Sequence, residues 1–148
     1  MNSLELKILQ LDRRAIIPEY QTPGSAGFDF HCLEDVSLRA GEVTLVRTGL
    51  AVEVPPGFEL QVRARSVLAS RQGIFLVNGV GTIDSDYRGE VKIIMSTCLS
   101  SPVHLKAGDR VAQGILAPVE RAQIVQTTRL AESPRGVGGF GSTGISTT

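Results

Sequence analysis

The chain has 148 residues, which is enough for one domain with a sizeable core and leaves little room for a second. Hydrophobic residues make up 42% of it and charged residues 20%, and its 15 basic and 15 acidic side chains balance, which argues against a nucleic-acid-binding protein. No apolar run approaches the ~20 residues of a membrane-spanning helix, and the N-terminus lacks the apolar core of a signal sequence, so we expect a cytoplasmic protein.

Apolar residues recur with a period of two along much of the chain. This pattern predicts strands at LELKIL (4–9), EVTLV (42–46), GLAVEV (49–54), FELQVRA (58–64) and EVKIIM (90–95). Turn signals such as Pro23-Gly24 and Arg88-Gly89 separate these runs, and one short helix is predicted over Ser66–Arg71. Many short strands with frequent turns predict an all-β fold, a β-barrel or sandwich of the jelly-roll type.

Cysteine and histidine are scarce in the sequence. Cys32 and Cys98 are too few for a disulfide framework and are typical of a reducing compartment. Together with His31 and His104 they would supply four zinc ligands, but no paired CxxC or HxxxH spacing accompanies them. We therefore predict two buried free thiols and two incidental imidazoles.

The segment NGVGTIDSDYRGE (78–90) carries two carboxylates and a tyrosine between strand-like runs. We predict a hairpin with these side chains near its tip. A carboxylate at this place can act as a general base on water if it lies in a cleft. The alternative is that Asp84, Ser85 and Asp86 are turn residues that make local hydrogen bonds, and the residue pattern alone favours that interpretation. Periodicity does not separate Asp84 from Asp86.

The C-terminus differs in composition from the rest of the chain. Residues 135–144 read RGVGGFGSTG, with five glycines around one aromatic residue, Phe140. Such a tail is usually a linker or a disordered end. Here, however, unobstructed backbone N–H groups, hydroxyls and Arg135 together suit an anion, although no lysine of a Walker loop follows the glycines. We predict a β domain over residues 1–134 and a flexible arm over 135–148.

Five segments in fixed order resemble the five motifs of the homotrimeric dUTPase family, the diphosphatases that split dUTP into dUMP and pyrophosphate. They are SAGFDF (25–30), RARSVLAS (63–70), NGVGTIDSDYRGEV (78–91), GDRVAQ (108–113) and RGVGGFGSTG (135–144). The resemblance extends from Pro18 to Gly144. It implies a jelly roll assembled as a homotrimer, with active sites at subunit interfaces and an arm that closes over a neighbour's nucleotide. The implied activity keeps uracil out of DNA and supplies dUMP for thymidylate synthesis.

The resemblance also implies roles for individual residues. Asp84 matches the general base that activates water for attack on the α-phosphorus, and Asp86 is then structural. The positions that match phosphate contacts are Arg65, Ser66, Val67, Gln113, Arg135, Gly141 and Ser142. The positions that match contacts to uracil and deoxyribose are Asn78, Thr82, Ile83, Tyr87, Lys92 and Phe140. The implied cofactor is Mg²⁺, with Asp29 holding its waters in an outer shell and no dedicated protein cage.

Three other functions compete with this one. A dCTP deaminase of the same fold requires a glutamate where Ile94 stands, and isoleucine cannot transfer protons. A nucleotide sensor without turnover is expected to have lost Asp84, Arg65 or the tail motif, and a purely structural module leaves these features unexplained. Val67 is a departure from the family pattern, because the family usually has glycine or serine there. We expect an active enzyme with altered substrate affinity or rate.

Overall fold

The computed structural model describes residues 4–145. Within them the chain forms ten strands and one short helix, and no helix is long and apolar enough to cross a membrane. In chain order these elements are β1 (Lys7–Gln10), β2 (Phe28–His31), β3 (Val36–Leu38), β4 (Thr44–Glu53), β5 (Phe58–Arg63), α1 (Ser66–Gln72), β6 (Ile74–Leu76), β7 (Gly81–Ile83), β8 (Glu90–Thr97), β9 (Val103–Leu105) and β10 (Arg110–Pro118).

The strands form two four-stranded antiparallel sheets and one small ribbon. One sheet has the order β1-β4-β8-β6, the other has the order β2-β10-β5-β7, and β3 pairs with β9. Alternate side chains of both sheets point into a common core, where Phe30, Leu50, Leu60 and Met95 are completely buried. The predicted all-β fold with a single short helix is confirmed, and α1 begins at the predicted residue, Ser66.

The two strands predicted at 42–46 and 49–54 are one continuous strand, β4. Its pairing with β8 shifts register between Arg47 and Ala51, so the chain bulges without leaving the sheet. Gly49 makes the bulge possible because its φ of 71° favours glycine, and a Cβ there would lie 2.9 Å from the Cβ of Ala15. The break predicted in the sequence is therefore a bulge in the structure.

The predicted hairpin around residues 78–90 takes a different form. Strands β6 and β8 do pair antiparallel, with Leu76 opposite Met95. Between them the chain crosses to the other sheet, where β7 pairs with β5 and Ile83 lies opposite Leu60. Residues 78–90 thus connect the two sheets, and the carboxylates stand at the end of β7 rather than at a simple hairpin tip.

The two cysteines differ in exposure, so the prediction of two buried thiols is wrong for one of them. Cys32 is buried, and its Sγ lies 2.8 Å from the carbonyl oxygen of Lys106. Burial raises the pKa of the Cys32 thiol and keeps it protonated at neutral pH. Cys98, which follows β8, is exposed.

We expect one thiol per chain to react rapidly with Ellman's reagent in the native protein, and the second only after unfolding. The physical reason is that the thiolate is the nucleophile, and Cys32 is both protonated and shielded from the reagent. The measurement is thiol release with and without guanidinium chloride. A Cys98→Ser variant is expected to lose the rapid phase, and two rapid thiols in the wild type would contradict the prediction.

Candidate active site

One pocket collects the predicted nucleoside-binding residues. It has a volume of about 310 Å³ and its wall is made largely by β7 and β8. Six residues of the predicted set line this nucleoside pocket, whereas Phe140 does not; the six are Asn78, Thr82, Ile83, Asp84, Tyr87 and Lys92. Its floor is apolar, with contributions from Val62, Val91 and Ile93. A pocket with an apolar floor and a few convergent polar groups is a typical small-molecule site.

The structure distinguishes the carboxylates of Asp84 and Asp86, which the residue pattern does not. Asp84 follows β7 directly and lines the pocket, whereas Asp86 does not line it. The carbonyl oxygen of Asp84 accepts a hydrogen bond from the backbone N–H of Tyr87 at 3.2 Å, which closes the turn. Within residues 4–145 no hydrogen bond or ion pair engages the Asp84 carboxylate, so it is free to accept a proton from water.

Tyr87 is held against the backbone of its own turn. Its hydroxyl donates a hydrogen bond to the carbonyl oxygen of Glu90 at 3.1 Å. The ring lies over Gly89, where a Cβ would overlap it. Tyr87 is nevertheless 46% exposed, so one face of the ring remains available to a ligand. A ring fixed in this way can exclude a substituent that a mobile side chain would accommodate.

The predicted phosphate-binding residues outside the arm form a second cluster together with Asp29. Asp29 lies on β2, Gln113 on β10 directly opposite it, and Arg65 between β5 and α1. Arg65 Nε lies 3.0 Å from Asp29 Oδ1, while Arg110 Nε lies 3.7 Å from Asp29 Oδ2. Gln113 Nε2 donates a hydrogen bond to the carbonyl oxygen of Ala64 at 3.0 Å. Two guanidinium groups thus meet at one carboxylate, and the Gln113 amide is fixed on the adjacent strand β10.

The charge of this cluster comes from its arginines. His31, two residues after Asp29, has its pKa lowered by burial and secondarily by the positive charge of Arg110. The imidazole is therefore neutral at pH 7 and adds no positive charge. The planar guanidinium groups of Arg65 and Arg110 suit bidentate contact with phosphate oxygens.

The short helix α1 begins beside the same cluster. Arg65, the residue before it, has an extended backbone and no side chain caps the first turn. The N–H groups of the first turn are therefore without a side-chain acceptor, as at any uncapped helix start. Val67 lies in this turn and is 40% exposed. Its side chain offers no hydrogen bond to a ligand, whereas its backbone N–H does.

Within residues 4–145 the predicted arm residues make no hydrogen bond to either cluster of the isolated chain. The sheets end at Pro118, and the segment from Val119 to Ile145 forms no strand and is largely exposed. Phe140 is fully exposed and adopts a positive φ of 50°, which is rare outside glycine. Arg135, Gly141 and Ser142 lie in successive turns of this segment. The predicted boundary at residue 134 falls inside the exposed segment, and residues 146–148 lie outside the described part.

Comparison with known proteins decides the family. The family model dUTPase matches residues 13–144, nearly the whole chain. The chain belongs to the dUTPase family. The deoxyuridine 5'-triphosphate nucleotidohydrolase of Nautilia profundicola is 48% identical over 141 residues, covering 95% of this chain and 99% of that protein. The protein of the same name from Helicobacter hepaticus is 46% identical, with coverages of 98% and 92%.

Solved structures of dUTPases have the same fold. The dUTPase of Streptococcus mutans is 29% identical and superimposes with a TM-score of 0.73, covering 80% of this chain and 98% of that one. A point mutant of the Staphylococcus bacteriophage 80alpha dUTPase, solved with dUpNHpp, gives a TM-score of 0.87 at 23% identity and covers 97% and 100%. The resemblance inferred from the five motifs is therefore confirmed.

The two clusters of this dUTPase chain are far apart. Strand β7 ends beside the start of β5, so Asp84 lies level with Glu59, whereas Arg65 follows the other end of β5. The six residue-to-residue steps from Glu59 to Arg65 span about 20 Å in extended chain. Arg65 also turns away from β7, since its partner Asp29 lies across β10. Asp84 and Arg65 thus lie at opposite ends of β5.

Two residues with clear places in these clusters were not among the predicted site residues. Arg110 shares the Asp29 carboxylate with Arg65, and Glu90 lines the nucleoside pocket beside Tyr87. Both stand inside motifs that the sequence analysis identified, GDRVAQ and the 78–91 segment. Their membership in those motifs was the only available signal, because their contacts depend on strand pairings that cannot be seen in the sequence.

Proposed function

We propose that this protein hydrolyses dUTP to dUMP and pyrophosphate. The observation that carries the proposal is the unpaired carboxylate of Asp84 at the edge of a pocket that also contains Asn78 and Tyr87. Membership in the dUTPase family and 48% identity to a deoxyuridine 5'-triphosphate nucleotidohydrolase support the same reaction. The product dUMP is a precursor for thymidylate, and removal of dUTP keeps uracil out of DNA.

The pocket is suited to select uracil and deoxyribose. Asn78 and main-chain groups of Thr82, Ile83 and Lys92 are the proposed partners of the uracil edge. Cytosine has an acceptor on that edge where uracil has a donor, and a donor where uracil has an acceptor. Buried protein groups that pair with uracil would lack partners with cytosine, so the pocket would reject dCTP strongly. Tyr87 packs under the deoxyribose in this proposal and leaves no room for a 2'-hydroxyl.

Asp84 is the proposed general base. Its carboxylate accepts a proton from a water molecule, and the water oxygen forms a bond to the α-phosphorus. The bond from that phosphorus to the bridging oxygen of the β-phosphate breaks, so pyrophosphate leaves with the electron pair. Arg65, Ser66, the backbone N–H of Val67 and Gln113 bind the phosphate oxygens and offset the charge that develops there.

Mg²⁺ is the proposed cofactor, and the residues of the Arg65 cluster fit a weakly held ion. Within residues 4–145 no group of three or more acidic, cysteine or histidine side chains forms a metal cage. Asp29 is already paired with two arginines, so its remaining lone pairs suit contact with metal-bound water rather than direct ligation. Asp29 would hold the ion through its waters, and the ion would supply positive charge that offsets the charge of the triphosphate. A structural Mg(II) ion is described for a mutant of the dUTPase from phage phi11 of S. aureus.

A homotrimer with shared active sites is the proposed assembly. The separation of Asp84 from Arg65 supports it, since a second copy must supply the missing cluster. The outer face of the β4-β8-β6 sheet also presents an apolar row of Leu45, Ile94 and Val77, in which Leu45 and Val77 are exposed and Ile94 is half-buried. Leu45 and Ile94 also line the nucleoside pocket, so a partner that covers the row reaches the pocket rim.

The arm is the proposed lid over a neighbouring copy's site. Ile124 and Leu130 are 97% and 83% exposed, so the segment that leads to the arm has no apolar partner within the described part of its own chain. In the closed state Arg135 clamps the γ-phosphate, Phe140 stacks on uracil, and Gly141 and Ser142 contact phosphate oxygens. Closure would exclude bulk water from the site and leave only the attacking water molecule beside Asp84. We also propose that the protein is cytoplasmic, because a reducing compartment would keep the exposed thiol of Cys98 from oxidation.

Pyrophosphate release in the presence of Mg²⁺ tests this function. We expect rapid release from dUTP and little from dCTP, dTTP or UTP at the same concentration. Chelation of the metal with EDTA is expected to slow the reaction strongly. A folded protein that binds dUTP without releasing pyrophosphate would favour a nucleotide sensor and contradict the proposal.

Val67 offers a test of the phosphate-binding turn. We expect Val67→Ser to lower the KM for dUTP by about three- to tenfold, because the new hydroxyl donates a hydrogen bond to a charged phosphate. Val67→Ala serves as the matched variant, since it removes the bulk without adding the donor. Unchanged kinetics in both variants would show that position 67 does not limit phosphate binding.

A further inference from the structure

The carboxylate of Glu90 is tied to the bulge of β4. Its Oε1 accepts a hydrogen bond from the backbone N–H of Gly49 at 2.9 Å, and Arg47 Nε lies 3.1 and 3.2 Å from its two oxygens. The Glu90 side chain is only 13% exposed, whereas that of Arg47 is 42% exposed. A mostly buried carboxylate thus receives a charged partner and a backbone donor, and both come from the neighbouring strand.

The same residue also fixes Tyr87. The carbonyl oxygen of Glu90 accepts the Tyr87 hydroxyl, and the ring rests on Gly89 between the two residues. The position of the ring therefore depends on the backbone at Glu90. That backbone is anchored in turn by the Glu90 side chain at the bulge, so a continuous set of contacts runs from Arg47 to Tyr87.

We propose that Glu90, held by Arg47, is a positioning residue that fixes Tyr87 and thereby sets the discrimination between deoxyribose and ribose. The inference rests on the proposed function, because it takes Tyr87 as the residue that packs under the sugar. Glu90 acts through Tyr87 and touches neither the phosphates nor the base in this proposal. Rejection of UTP depends on the rigidity of the Tyr87 ring, and the Arg47–Glu90 pair supplies part of that rigidity.

Other hydrogen bonds also hold the bulge of β4, so a change in the Glu90 side chain can alter the position of Tyr87 without unfolding the strand. Thr48 Oγ1 donates a hydrogen bond to the carbonyl oxygen of Val91 at 2.7 Å and accepts one from the N–H of Leu50 at 3.2 Å. The N–H of Leu11 donates to the carbonyl oxygen of Gly49 at 2.8 Å. These contacts do not involve the Glu90 side chain, so loss of its charge leaves the strand pairing in place.

The test compares kcat/KM for dUTP and UTP in the wild type and in Glu90→Gln. The amide keeps an acceptor for Gly49 but loses the ionic contact with Arg47. We expect the dUTP-to-UTP selectivity to fall about tenfold, mainly through KM, which is the scale expected for a hydrogen bond to a charged group. Glu53→Gln is the matched control, because it removes the 2.8 Å ion pair with Lys7 at the end of β4, outside the nucleoside pocket. The control is expected to keep the wild-type selectivity.

A double-mutant cycle completes the test. Arg47→Gln is expected to reduce selectivity as Glu90→Gln does, and the double variant is expected to be no worse than either single variant. Equal loss of activity on dUTP and UTP, together with a lower melting temperature, would show a merely structural role and overturn the inference. If the wild type hydrolyses dUTP and Glu90→Gln keeps the wild-type selectivity between dUTP and UTP, the inference is wrong and the proposed function stands. Absence of dUTP hydrolysis in the wild type would overturn the proposed function and this inference with it.

Discussion

Replacement of Asp84 by asparagine is expected to lower kcat for dUTP by about 10²–10⁴-fold, the usual contribution of a general base. The amide has nearly the shape of the carboxylate but cannot take a proton from water at neutral pH. Binding of a non-hydrolysable dUTP analogue is expected to stay within a few-fold of wild type. Pyrophosphate release and isothermal titration calorimetry give the two quantities separately.

Asp86→Asn is the matched control for this experiment. Asp86 carries the same functional group two residues away but does not line the nucleoside pocket. We expect this variant to keep most of its activity. If Asp86→Asn were inactive and Asp84→Asn active, the assignment of the base would be wrong.

Two inactive variants are expected to restore activity when their subunits are mixed. Arg65→Gln keeps the base but loses the phosphate-binding cation, and Asp84→Asn does the reverse. If each site takes Asp84 from one copy and Arg65 from another, about a quarter of the sites in an equimolar random mixture receive both intact residues. Activity after joint refolding should therefore recover to about a quarter of wild type, from nearly none in either variant alone.

The control mixture combines Asp84→Asn with the double variant Asp84→Asn/Arg65→Gln. No site in that mixture has an intact base, so no recovery is expected. Native mass spectrometry reports whether mixed oligomers have formed. Mixed oligomers without recovered activity would show that Asp84 and Arg65 act in one chain, against the separation of about 20 Å along extended β5.

Local sequence signals predicted part of this fold. Alternation of apolar residues indicated β1, β4, β5 and β8, and the helix start at Ser66 was predicted at the correct residue, whereas β2, β3, β6, β7, β9 and β10 lie outside the predicted runs. The same signals failed at Gly49, because the sequence shows a glycine but not the Glu90 carboxylate that binds its N–H across the sheet. They failed again for the partner of β7, since the choice between two sheets depends on packing that no short segment encodes.

For the site, too, the sequence identified residues but not their relative positions in the fold. The motifs identified most residues of both clusters, including six residues that line the nucleoside pocket. They did not indicate that Asp84 and Arg65 lie near opposite ends of β5, since that follows from register and strand order. Exposure of Cys98 was missed for a related reason, because cysteine is usually buried and its surroundings depend on tertiary contacts.

Hydrolysis of dUTP in water labelled with heavy oxygen tests the proposed reaction most directly. Attack by an Asp84-activated water on the α-phosphorus places the labelled oxygen in dUMP and leaves pyrophosphate unlabelled. Mass spectrometry of the two products after a single turnover distinguishes these fates. Label in dUMP alone is the expected result, and label in pyrophosphate, or release of dUDP and phosphate, would contradict the proposed mechanism.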